Sequence, residues 1–349
     1  MSPIKVAGCS TETALNLWKV KRVNNPPGQK ALNTKRSRMR DLFAHLNIAD
    51  DLTLPTDEQL QSYKEHLLNL GGNALCFDHF THICALYRVA DQNNKFRGIP
   101  GGNPCAKISL PPKPDGLRRL SLSDAETKKI LLAAREHNDP VVKWGELLMA
   151  GLGLIVKEIS EARVGHVRSV GGTVCLEITA KDRREIVDGV EQASKQLKTQ
   201  FRTRLLPIPG WVLDEGFVER IEYLRASFGE GAALFEEIEP DKAGLRNTKM
   251  SAILMRFLRD LGIVNQIDPD TGKTVALRDN YGWRHRFASL LQDTSTIPGS
   301  TQERRRYMCG HAGKDVHEKT YLDHEVPKVK LILDALPDPL KLCTTDQAA

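Results

Sequence analysis

The stretch RGIPGGNPCAKISLPPKPDG, residues 97–116, holds five prolines and four glycines in twenty positions. Proline fixes φ and removes a backbone donor, while glycine loses the most freedom on ordering, so neither helix nor strand runs through such a segment. A chain of 349 residues interrupted there folds as two pieces. The reading is an N-terminal extension over 1–29, a helical domain over 30–96, a linker over 97–117, a larger domain over 118–340 and a tail over 341–349. With 40% hydrophobic residues, a sizeable core is within reach. Residues 1–29 carry no pattern that assigns them an element.

Hydrophobic periodicity fills in the pieces. DEQLQSYKEHLLNLG (57–71) and HFTHICALYRVADQ (79–92) have apolar residues at helical spacing. A further helix over 33–46, NTKRSRMRDLFAHL, takes Asn33 or Thr34 as its cap. It carries four basic residues within six positions, 35–40. Beyond the linker, SLSDAETKKILLAAREHN (121–138) opens with a Ser/Asp cap followed by an acidic residue, which predicts a helix start. The run over 141–167 reads as one or two helices broken near Gly151 and Gly153. GGTVCLEITA (171–180) and TRLLPIPG (203–210) are short and aliphatic with turn residues at their edges, and read as strands. From TKMSAILMRFLRDLG (248–262) onward the chain is mostly helical again. The fold class is therefore mostly α with a small antiparallel sheet.

The formal net charge is +6, compatible with an acidic partner such as nucleic acid. The seven cysteines are odd in number and form no Cys-x-x-Cys pair, so neither a disulfide framework nor a zinc site is expected, and a reducing cytoplasm fits best. The first twenty residues lack the basic-then-apolar pattern of a signal peptide, and no apolar run reaches the ~18 residues needed to span a membrane. A cytoplasmic, nucleoid-associated location is the expectation.

Three short pieces carry chemistry. YGWRHRFASLLQD (281–293) crowds a Trp, a His and two Args into four positions ahead of an apolar run. CGHAGKDVHEKTYLDH (309–324) places Tyr321 ten residues after His311. KTQFRTRLLPIP (198–209) sets a lysine before a strand that ends in proline. Taken in chain order, the pieces resemble the tyrosine recombinases, the phage-integrase and Xer family. That family writes one box as His-x-x-Arg-His-x-Phe-Ala and another as Leu-Gly-His, with a nucleophilic tyrosine nine or ten residues on. Here Arg284, His285, Phe287 and Ala288 match the first, and Gly310, His311 and Tyr321 the second.

The resemblance covers about 30–335, strongest over 280–324. It implies an N-terminal helical core-binding (SAM-like) domain and a C-terminal α+β catalytic domain that close around duplex DNA. It also implies self-association on DNA, from dimer to tetrameric synapse, and leaves room for a partner recombinase. No cofactor, metal or membrane is called for. By the same resemblance Tyr321 attacks a DNA phosphodiester and leaves a 3′-phosphotyrosine. Arg284 clamps the phosphate, since a guanidinium fork stays protonated and donates paired hydrogen bonds. His311 binds the phosphate or assists proton transfer, and Lys198 protonates the leaving oxygen. Tyr281 stands where the family usually has His. Lys35, Arg36, Arg38, Arg40 and Arg202 are expected to track the DNA backbone.

One position departs from the family. Its box Gly-Leu-Arg-x-x-Glu, aligned on Glu158, puts Ile155 where an arginine belongs. Lys157 lies two positions on, about 200° around a helix. Losing one oxyanion donor typically costs roughly a hundredfold to a thousandfold in rate. The site is therefore expected to bind a phosphate yet cleave slowly or not at all, unless another residue or a partner supplies an arginine. An accessory or regulatory DNA-binding protein without cleavage is the alternative that Ile155 favours. An RNA-binding or protein-interaction module is a second alternative, which absence of salt-sensitive duplex binding would support.

Overall fold

The computed structural model describes residues 10–22, 27–48, 54–95, 102–112, 118–179, 184–187, 190–193, 203–269, 272, 274–310 and 322–341. The chain divides into two compact units, Met1–Gly116 with Val187–Val190, and Leu117–Ile186 with Glu191–Ala349.

The first unit is helical. α1 (Thr11–Val20) starts at Ser10, whose hydroxyl accepts from the Thr13 N–H at 3.1 Å. Ala14, Leu15 and Trp18 turn inward from it. The sequence reading gave this stretch no element, because ten residues hold too few turns to stand out against a polar background. α2 (Gln29–Leu46) begins at Gly28, not at Asn33 or Thr34. Asn33 instead accepts from the Gln29 side chain within the helix, at 2.8 Å. α3 (Asp57–Gln92) joins both expected helices across Gly71 and Gly72, whose non-helical backbone kinks it. Across that kink the Tyr63 hydroxyl meets His79 Nδ1 at 2.8 Å, a buried polar contact. Thr56 and Gln59 close a capping box at its start. Part of the proline-rich segment also packs here: Cys105, Ile108 and Leu110 lie on this unit's core.

The second unit opens with β1 (Arg118–Arg119) and α4 (Asp124–Arg135). Ser123 and Glu126 form the capping box expected at α4. α5 (Pro140–Leu152) has ten of its thirteen residues buried, so it is a core helix rather than an amphipathic one. It ends at Gly153 in the left-handed region, and a Cβ there would run into the ring of Phe287. Only glycine meets both demands. α6 (Val156–Ile159) is a single turn. β2 (Val167–Val170) and β3 (Thr173–Ile178) form an antiparallel hairpin. β4 (Arg184–Val187) and β5 (Val190–Ala193) make a two-stranded sheet of their own. β6 (Arg204–Pro207) returns antiparallel to β3, with Arg204 opposite Ile178 and Pro207 opposite Cys175. α7 (Gly210–Leu213), α8 (Phe217–Phe228) and α9 (Asn247–Asp260) follow. β7 (Gln266–Ile267) and β8 (Thr274–Leu277) join β1 in a second small sheet. α10 (Gly282–Asp293), α11 (Gln302–Met308) and α12 (Leu322–Asp334) complete the unit. The architecture is mostly helical with a small antiparallel sheet, as the sequence predicts.

Candidate active site

Helix α10 places the best-matched box. Asp279 accepts from the Tyr281 N–H at 2.9 Å and sets the helix entry. Gly282 fits closely under the segment between β1 and α4, since a Cβ there would stand 3.0 Å from Leu122 and 3.1 Å from the Leu120 carbonyl. Trp283, Arg284, Arg286 and Phe287 all turn inward. Phe287 supports the helix from within, whereas His285 is exposed. Tyr281 is half-buried at the helix start, with the Arg119 guanidinium over its ring at 4.9 Å and His285 beside it. Arg286 is spoken for: it reaches Asp124 at 2.6 Å and the Leu122 carbonyl at 3.2 Å.

Arg284 meets a different environment. It is 5% exposed, and its Nη2 donates to Glu158 on α6. Glu158 itself is 2% exposed and receives a second guanidinium, that of Arg204 on β6. The Arg204 fork is bidentate, with Nη1 at 3.1 Å from Oε1 and Nη2 at 2.9 Å from Oε2. The Ile155 N–H also donates to Oε2, at 3.2 Å. Burial by itself would raise the Glu158 carboxyl, but the two guanidiniums and the Ile155 amide hold it at about 2. Glu158 is therefore ionised throughout the working pH range. Burial lowers the pKa of Arg284, and Glu158 opposes that shift. The Nε of Arg284 is buried and has no hydrogen-bond partner among the described residues.

The walls of the cluster come from two further elements. Beside Arg284, the Trp283 indole donates to Glu146 of α5 at 2.6 Å. Glu146 is wholly buried, and burial pushes its carboxyl up to about 8 against the opposing pull of that hydrogen bond. It is therefore a neutral acid at neutral pH. On the other side the Tyr307 hydroxyl of α11 accepts from the Leu205 N–H at 2.8 Å and ties α11 to β6. At the end of α11, Gly310 passes over Arg204 in the left-handed region, φ 61. A Cβ on Gly310 would stand 2.5 Å from Arg204 Nη1.

Arg284 thus shares Glu158 with Arg204, the arginine over which Gly310 passes. His311, Tyr321, Lys198 and Arg202 lie outside the described residues. Among the expected DNA contacts, Lys35 is buried, its Nζ 4.5 Å from the centre of the Trp18 ring and 3.3 Å from His82 Nδ1. Arg36 makes a bidentate pair with Glu12, and Arg38 pairs with Asp78 at 2.8 Å. Arg40 is exposed, with Ser37 at the limit of hydrogen bonding. The sequence reading missed Arg204 and Glu146. An arginine amid LLP in an aliphatic strand was the one signal for Arg204; for Glu146 there was none beyond a lone acid in an apolar helix.

No family model and no curated protein matches the chain. Solved structures do match it. A lambda integrase tetramer bound to a Holliday junction superposes with a TM-score of 0.55 at 14% identity, over 89% of this chain and 77% of its own. The Tn1549 transposon integrase in complex with transposon right end DNA gives 0.55 at 14% identity, over 87% of this chain and 92% of its own. A lambda integrase dimer on a COC′ core site gives 0.53 at 16% identity, over 88% and 93%. At such identities the likeness is one of fold: this chain has the fold of the tyrosine recombinases.

Proposed function

We propose that this chain is an integrase-like DNA-binding protein that cuts and rejoins DNA strands through a 3′-phosphotyrosine. The observation that carries the reading is Arg284. It is 5% exposed, anchored by a carboxylate that stays ionised, and keeps a buried Nε without a partner among the described residues. A buried donor without an acceptor costs free energy, and a phosphate oxygen is a fitting acceptor for a guanidinium. The fold supports the reading, because the chains that share it were solved on DNA, some as dimers and tetramers. Self-association on DNA is proposed for this chain on that ground, with cytoplasmic action.

The roles follow the chemistry of the residue types. The Tyr321 oxygen attacks phosphorus, and the bond to the 5′ oxygen breaks. Lys198 gives the leaving oxygen its proton, while Arg284 and His311 hold the charge that builds on the non-bridging oxygens. Tyr281 lines the entry. Arg40 and Arg202 are the backbone-tracking residues we favour; Arg36 and Arg38 would exchange a carboxylate for a phosphate, and Lys35 would have to turn out of the core.

The test is covalent trapping on nicked duplexes tiled from the ends of the protein's own locus. A denaturant-resistant adduct in wild type, absent from Tyr321→Phe, is the expected result. Ile155 favours a second reading, an accessory DNA-binding protein without cleavage. An adduct seen only after Ile155→Arg, with duplex binding intact in wild type, would establish that reading instead.

A further inference from the structure

We propose that strand β6 supplies the second guanidinium of this site: Arg204 and Arg284 together cradle a phosphate-class oxyanion, and Arg204 stands in for the cation that residue 155 does not carry. The inference rests on the reading that the ligand is a DNA phosphodiester, and it assigns that ligand a residue which the sequence boxes do not include.

Geometry carries it. Both Nη atoms of Arg204 are set on Glu158, at 3.1 and 2.9 Å, and Arg284 shares the second of those carboxylate oxygens. One carboxylate therefore orients two guanidiniums that arrive from different elements, β6 and α10. From the start of α6 the Ile155 main-chain N–H donates to the same carboxylate. A cation from the strand, Arg204, fills a place next to Glu158. Gly310 seals the arrangement. Any side chain there would collide with the Arg204 guanidinium, and the next residue along the chain is His311.

The ligand class follows from the charges. Two cations brought to one anion at this depth repel each other, and a second anion relieves that repulsion. Arg284 gives Glu158 one of its five N–H donors, and its buried Nε awaits an acceptor among the described residues. A tetrahedral oxyanion offers several oxygens at the spacing of guanidinium forks. A simple halide or a single carboxylate has fewer acceptor oxygens for the N–H donors that the two guanidiniums keep beyond those given to Glu158.

Orthovanadate is the probe, since its binding requires no knowledge of the DNA site. It is titrated into the full chain by calorimetry, with the rise in Tm as a second readout. We expect Arg204→Met and Arg284→Met each to weaken vanadate binding by about tenfold to a hundredfold, as loss of a charged hydrogen-bonding group does. Arg204→Lys, which keeps a cation beside Glu158, should retain more of the wild-type Tm than Arg204→Met. It should bind with intermediate affinity, because lysine lacks the fork. Ile155→Arg introduced into Arg204→Met should restore binding.

A merely structural Arg204 would lower the Tm without vanadate yet leave vanadate affinity unchanged in the lysine variant; that result overturns the proposal. So does a wild type that takes up no vanadate. Failure of the cleavage reading looks different. Vanadate binding that depends on Arg204, with no Tyr321-dependent adduct on any duplex, removes cleavage and leaves the two-arginine site standing. An adduct together with vanadate binding indifferent to Arg204 does the reverse.

Discussion

Two arginine-rich stretches of this chain look alike in the sequence and fold to opposite ends. On α2, KRSRMR places its arginines at a half-exposed surface, and Arg36 and Arg38 each find a carboxylate of their own, Glu12 and Asp78. On α10, WRHR sends Arg284 inward to a carboxylate it shares with Arg204, with side chains 6%, 1% and 2% exposed for Arg284, Arg204 and Glu158. The number of positive residues is similar. What differs is depth and stoichiometry. A surface arginine with its own partner is screened and contributes little. Two buried arginines held on one carboxylate make a place where a second anion is welcome.

The comparison is broken most severely at Glu158. Glu158→Gln leaves both guanidiniums buried against a neutral amide, and we expect a loss of roughly 3–5 kcal/mol in urea unfolding. A loss below about 1 kcal/mol would show that the cluster is as forgiving as the surface pairs. The pH dependence has a definite sign. The carboxyl is held at about 2, below its ordinary value, so its contribution is present above that ordinary value and is lost as pH falls toward 2.

Glu146 runs the other way. Its folded pKa is raised to about 8, so its protonated form favours folding at low pH, and that contribution is lost as pH rises through 8. Glu146→Gln should therefore flatten the fall in Tm between about pH 5 and 8, by up to a few kcal/mol in stability. Equal slopes in the two proteins would mean that the carboxyl is hydrated. Gly310→Ala probes the cover over Arg204. With φ at 61 and a Cβ 2.5 Å from Nη1, we expect about 1–3 kcal/mol of destabilisation and a displaced guanidinium. The smallest effect belongs to the surface. Arg36→Ala should cost no more than about 1 kcal/mol, and 1 M salt should erase the difference. A larger, salt-resistant cost would place α2 in the same category as the buried cluster.

Much of the fold is legible because the local signals are strong. The Ser123–Glu126 capping box, the aliphatic strands that became β3 and β6, and the breaks at Gly71–Gly72 and Gly153 all follow from rules that act over a few residues. The candidate site is legible only in part. Arg284 shows itself through the box around it, and Ile155 through the box it interrupts. Lys35, Arg36 and Arg38 read as one basic face, yet one of them is buried and two are paired, because nothing in KRSRMR reveals that Trp18, Glu12 and Asp78 face it. The α1 helix that supplies two of those three partners left no mark strong enough to read.

The sequence by itself determined the helical class, and it carries the arginine and glycine that the candidate site is built around. Those features depend on backbone freedom, periodicity and short motifs, all written within a few neighbouring residues. Only the tertiary structure decided which charges meet. Glu158 and Arg204 are 46 residues apart, and Glu158 and Arg284 are 126 apart. Their contact is set by how β6, α6 and α10 pack around a common core, and a linear pattern carries no record of distance across that core.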